Sequence, residues 1–83
     1  MAEYRITFAQ SARRELDRPI ARRVLQSIEK LAANSRPSGC VKLVGSRNDW
    51  RIRIGDWRVI YTIDDEKRVV DIAAIRHRSD AYR

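Results

Sequence analysis

The chain has 83 residues, 43% hydrophobic and 35% charged, with 18 basic residues against 11 acidic ones and a net charge of +7. That length supports one small domain, residues 1–83, with a thin core, and the charge points to an acidic partner: nucleic acid or an acidic protein segment. One cysteine, Cys40, and one histidine, His77, exclude a disulfide framework, a Cys-based zinc site and an ordinary His-based triad.

In chain order, Tyr4 to Phe8 alternates apolar and polar residues and predicts a short strand. Ser11 is the expected N-cap region of a helix running to about Leu16. Pro19 suits the first turn of a second helix, in which Ile20, Val24, Ile28, Leu31 and Ala32 form one apolar stripe. Residues 34–39 read as a loop. The period then changes to two. Val41–Val44 is an expected strand, Gly45 to Asn48 a turn, and Asp49–Ile54 a second strand. Gly55-Asp56 reads as a two-residue hairpin turn with glycine first. Trp57–Ile63 follows as a strand, Asp64 to Lys67 as an acidic turn, and Val69–Ile75 as the last strand. The expected class is α+β: an N-terminal strand, a two-helix hairpin, then a four-stranded, mainly antiparallel meander with both helices on one face.

Fifteen of the basic residues are arginine and three are lysine. Arginine grips phosphate through a two-point fork; lysine is a point charge. Strand alternation sets Arg51 and Arg53 on one surface, with Trp50, Ile52 and Ile54 turned to the core. Arg58 opens the next strand, and Arg76, His77 and Arg78 follow the last. An RNA-cutting site of side chains alone needs a group to deprotonate the 2′-hydroxyl, positive charge on the phosphorane, and help for the leaving oxygen. Arg51, Arg53, Arg58, Arg76, Arg78, His77 and Tyr82 cover those needs. Each has a plainer reading. Arg51 and Arg53 also fit a solvent-facing strand, Arg58 and Arg76 fit salt bridges to Asp49, Asp56 or Asp71, and His77 fits a surface histidine. Trp50, Trp57 and Tyr61 read as core. There is no glycine-rich phosphate loop, the Asp64-Asp65-Glu66 turn reads as a solvated hairpin tip, and no metal or cofactor is expected. No apolar run approaches the ~20 residues of a membrane span, so a cytoplasmic protein without a membrane partner is expected.

Three stretches carry a family resemblance: Lys42-Leu43-Val44-Gly45, the run from Trp50 to Tyr61, and His77-Arg78-Ser79-Asp80-Ala81-Tyr82-Arg83. Together they resemble the RelE family of bacterial and archaeal toxins, over nearly the whole chain. The resemblance implies a RelE-like fold and a ribosome-dependent mRNA endonuclease. Such an enzyme cuts A-site codons by metal-free attack of the 2′-hydroxyl on the adjacent phosphate. It implies three partners: the ribosomal A site, mRNA, and a cognate RelB-like antitoxin, acidic or amphipathic. It assigns catalytic positions to Arg51, Arg53, Arg58, Arg76 and Tyr82, with His77 a candidate acid or base. Lys42, Arg47, Arg78 and Arg83 become RNA contacts. The family has lysines where this chain has Arg51 and Arg53. Arginine does not give up its proton in proteins, so both are read as phosphate clamps, and His77 or Tyr82 must take the proton. Tyr82 is expected to be ordered by RNA or the ribosome. Two other functions remain open: a ParE-like inhibitor of DNA gyrase, and a non-catalytic nucleic-acid or antitoxin-binding module.

Overall fold

A computed structural model describes residues 3–17, 22–45 and 48–79. The elements are β1 (Arg5–Phe8), α1 (Gln10–Glu15), α2 (Arg22–Lys30), β2 (Val41–Lys42), β3 (Asp49–Ile54), β4 (Trp57–Asp64) and β5 (Val69–His77). They form one five-stranded sheet in the order β1-β5-β4-β3-β2. The helices carry the chain from one edge strand to the other, and the meander then returns it. This route makes β1 parallel to β5 while every other pair is antiparallel.

The expected class and element order are found. Helix α1 packs on β5 and α2 on β3. Ala12, Val24, Ile28 and Leu31 meet Ile52, Val59, Tyr61, Ile63, Val70, Ile72 and Ile75 in a single buried cluster. Trp50 and Trp57 pack partly buried against it, as does Cys40. Tyr61 is fully buried, and its hydroxyl donates to the Ser35 carbonyl at 2.9 Å. Burial pushes its phenol pKa up, since the ionised form would lose its water. Pro19 and Ile20 lie outside the described residues. No helix of the described residues is long and apolar enough to cross a membrane.

Ser11 does not cap α1. Ala9 holds the N-cap position without a side-chain bond, and the Ser11 hydroxyl donates to the Ala73 carbonyl at 2.8 Å. A bulge explains the choice. Ile60 pairs with Ala74 but Tyr61 pairs with Ile72, which leaves Ala73 as the extra residue. A bulge residue drops out of the ladder, and Ser11 supplies the partner its carbonyl would otherwise lack.

Three boundaries also move. Strand β2 ends at Lys42 rather than Val44, because the chain turns at Gly45, with φ at +83°. Strand β4 runs to Asp64, whose carboxylate accepts the Lys67 backbone N–H at 2.9 Å; the turn therefore starts one residue late. Strand β5 continues to His77, so Arg76 and His77 obey strand alternation.

A polar clasp closes the end of the sheet near β1. Arg36, in the loop after α2, donates to both oxygens of Asp65 at 2.9 and 3.3 Å, and the Tyr4 hydroxyl donates to Asp65 at 2.5 Å. The Arg36 guanidinium, then the Tyr4 hydroxyl, hold the Asp65 carboxyl below its ordinary range, and Asp65 raises Tyr4 in return. A depressed carboxylate stabilises the fold above its unfolded pKa and stops doing so as pH falls through its folded value. The raised tyrosine stabilises below about pH 10 and ceases as pH climbs through its own folded value. Asp65→Asn should therefore lower the unfolding midpoint slightly near neutral pH, with the deficit shrinking below about pH 4 and gone once pH has fallen through the depressed folded value. Thermal unfolding followed across pH tests this; a deficit that persists in acid would exclude the clasp as its origin.

Candidate functional site

Alternation sorts β3, β4 and β5 into two faces. Trp50, Ile52 and Ile54 point to the helices, as do Trp57, Val59, Tyr61 and Ile63. Asp49, Arg51 and Arg53 point away, with Arg58, Ile60 and Thr62 beside them. On β5 strict alternation after Val70 and Ile72 would send Ala74 and Arg76 inward. The extra residue Ala73 reverses the phase: Ile75 is 3% exposed and inward, and Arg76 is exposed on the open face. Bulges often re-aim a side chain in this way.

The register then aligns the arginines. Arg53 stands opposite Arg58, and Arg58 stands opposite Arg76. Opposed residues have Cβ atoms about 4.5–5.5 Å apart, so three guanidiniums form one row across three adjacent strands. Arg51 lies on the same face one step down, about 7 Å along β3, in a row with Ile60 and Ala74. One step further come Asp49, Thr62, Asp71 and Thr7. The face thus has a basic end at the β3–β4 hairpin and an acidic end, separated by the Ile60 row.

Among the described residues, the salt bridges of the plainer reading do not form. Among the described residues, no carboxylate lies within ion-pair distance of Arg51, Arg53, Arg58 or Arg76. Asp71 accepts the Thr7 hydroxyl at 2.6 Å. The Asp56 carboxylate faces Arg78 at 4.0 Å, and the Asp56 backbone carbonyl accepts the Arg78 backbone N–H at 2.7 Å. Like charges directly opposite one another destabilise a sheet. A row of three with no carboxylate of the described residues within ion-pair distance is therefore an arrangement that costs stability.

Other candidates fall elsewhere. His77 pairs with Trp57 on the helix side. Its ring meets the Trp57 ring edge-on at 4.9 Å, and its Nδ1 lies 2.9 Å from the Ser79 hydroxyl. The sheet separates it from the arginine row. Lys42 pairs with Trp50 and sits over that ring at 6.0 Å, with Arg36 over the same ring at 5.1 Å; it too is on the helix side. Arg78 follows β5 beside the hairpin turn. Arg47, Tyr82 and Arg83 lie outside the described residues. A groove of about 430 Å³ runs between α2 and β3, lined by Ser27, Lys30, Leu31, Ile52 and Arg53 among others. Among the described residues no group of three His, Cys, Asp or Glu could hold a metal ion.

The sequence matches the family model described as ParE toxin of type II toxin–antitoxin system, parDE, over residues 6–82. The structure is similar to RelE in the archaeal RelE–RelB complex from Pyrococcus horikoshii, at 26% identity and a TM-score of 0.78, covering 92% of this chain and 96% of that one. It is similar to a chain of the RelBE toxin–antitoxin complex from Mycobacterium tuberculosis, at 28% identity and a TM-score of 0.69, covering 96% and 97%. It also shares its fold with a chain of the intact E. coli RelBE complex, at 20% identity and a TM-score of 0.77, covering 89% and 95%. No curated protein matches the chain.

Proposed function

The chain belongs to the RelE/ParE superfamily of type II toxin–antitoxin toxins, and from that premise we propose that it is a ribosome-dependent mRNA endonuclease held inactive by a RelB-like antitoxin. The observation that carries this reading is the row Arg53–Arg58–Arg76, with Arg51 beside it, on an open face where no carboxylate of the described residues lies within ion-pair distance of them. Two close relatives by fold are toxins solved as complexes with antitoxins, which supports the antitoxin partner.

The chemistry follows from the side chains. The 2′-hydroxyl oxygen bonds to the adjacent phosphorus, the bond from phosphorus to the 5′-oxygen breaks, and a 2′,3′-cyclic phosphate and a 5′-hydroxyl result. The phosphorane gains negative charge on the way. Guanidiniums set side by side by the strand register meet that charge, and contacts made to it favour the transition state over the ground state. Arginine cannot serve as the base. His77 faces the helices, so Tyr82 is the remaining candidate for the proton transfers. In this reading the ribosome completes the site by holding the mRNA over the arginine row.

Primer extension on mRNA in a reconstituted translation reaction tests the proposal. Cuts confined to A-site codons are expected. Uniform cutting of free RNA would remove the ribosome from the mechanism. No cuts together with inhibited supercoiling by DNA gyrase would establish the second reading, a gyrase-directed toxin, which the match to the ParE family model favours.

A further inference from the structure

Arg23 is outside the arginine row yet reaches the same end of the sheet. Its guanidinium, projecting from α2, lies against Gly55 in the β3–β4 turn. A Cβ at Gly55 would stand 3.2 Å from the Arg23 Cζ and would collide with a terminal nitrogen. Gly55 is thus needed twice: for its φ of +59°, which the first position of this turn requires, and for the close approach of Arg23. Arg53 donates from Nε to the Gly55 carbonyl at 3.4 Å, so two guanidiniums flank one glycine. Arg78 holds Asp56, the carboxylate of the turn itself.

Folding does not account for Arg23. Among the described residues it makes no hydrogen bond or ion pair. With Arg22 it occupies the first turn of α2, which carries no acidic residue, although a helix dipole favours anions there and opposes cations. A local rule broken without gain in stability marks a functional position.

We infer that Arg23 extends the phosphate track of the open face around the hairpin end and binds a second phosphodiester of the same RNA strand, next to the one gripped by Arg53, Arg58 and Arg76. The inference rests on the reading of the open face as an RNA site. The ligand is an RNA backbone, met by guanidinium forks from two elements, a strand row and a helix.

The test uses the full chain and an uncleavable 2′-O-methyl oligoribonucleotide, with affinity measured by fluorescence anisotropy between about 50 and 200 mM salt. Each phosphate neutralised on a single strand contributes about 0.7 to the slope of log affinity against log salt. Arg23→Gln should lower the slope by about that amount, and Arg58→Gln should do the same. Lys67→Gln, in the turn at the opposite end of β4, should leave it unchanged. An Arg23→Gln slope equal to that of Lys67→Gln, with Arg58→Gln lowered, overturns the second phosphate and leaves the open face intact as a site. An unchanged slope in Arg58→Gln overturns both. Circular dichroism should give Arg23→Gln the wild-type unfolding midpoint, which separates loss of a contact from loss of the fold.

Discussion

Arg58→Ala is expected to cut A-site mRNA cleavage about 10²–10³-fold, the usual cost of removing one preorganised contact to a transition-state anion, while leaving the fold as stable as before or more so. Arg58 is the middle of the row, opposed by Arg53 on one side and Arg76 on the other, so it has the best position to meet a phosphorane lying across the strands. It is also the residue whose removal relieves both like-charge pairs at once. Activity and stability should therefore move apart, the pattern of a site held against its own folding preference. Arg76→Ala should share the loss of cleavage but relieve one pair. Single-turnover cleavage on stalled ribosomes, beside thermal unfolding of the free protein, reads both quantities. Full cleavage by Arg58→Ala would take the row out of the catalytic site. A large drop in the unfolding midpoint would show that Arg58 serves the fold.

Tyr61→Ala should have the largest effect on stability, about 3–5 kcal/mol, as for other large aromatic truncations in a core. Tyr61 is 0% exposed and is among the largest fully buried side chains. It lies on β4, which pairs with β3 and β5, so little can move to fill the space it leaves. Its hydroxyl also holds the Ser35 carbonyl, which ties the loop after α2 to the sheet. A domain of this size lies toward the low end of the usual ~5–15 kcal/mol, so the variant should be largely unfolded at physiological temperature. Tyr61→Phe keeps the ring and removes only the hydroxyl; about 1–2 kcal/mol is expected, with the Ser35 carbonyl left without its donor. Urea unfolding gives both numbers. A Tyr61→Phe loss equal to that of Tyr61→Ala would mean that the hydrogen bond, rather than the packing, carries the residue's contribution.

Much of the fold was legible because its signals are local. Apolar stripes at helical spacing marked α2, and period two marked β3 and β4. Gly55-Asp56 marked a two-residue hairpin, and a two-residue turn sets its own register: Ile54 meets Trp57, and Arg53 meets Arg58. The first two arginines of the row could be read from the chain in that way. Ser11 was misread because a hydroxyl near a helix start usually serves the helix, and nothing local announces a bulge carbonyl 62 residues away. Arg23 was passed over for the same reason. On the helix it is one more exposed cation, and its partner, Gly55, is a neighbour only in the folded chain. A pair of arginines opening a helix was the signal available.

The placement of Arg76 and His77 marks the boundary between the two kinds of information. The sequence by itself determined the element order, the apolar faces of β3 and β4, the basic character and the family resemblance, all of which depend on residues near one another along the chain. It also held a clue in Ile72 and Ile75, two buried residues three apart, where period two allows only an even step. Which face Arg76 takes was decided by the tertiary structure. Pairing of β4 with β5, the extra residue Ala73 and the Ser11 hydroxyl together shift the phase of the last strand, sending Arg76 to the open face and His77 to the helices. Side-chain direction alternates at every residue, so one inserted residue exchanges the two faces, and only contacts between distant parts of the chain fix where that residue goes.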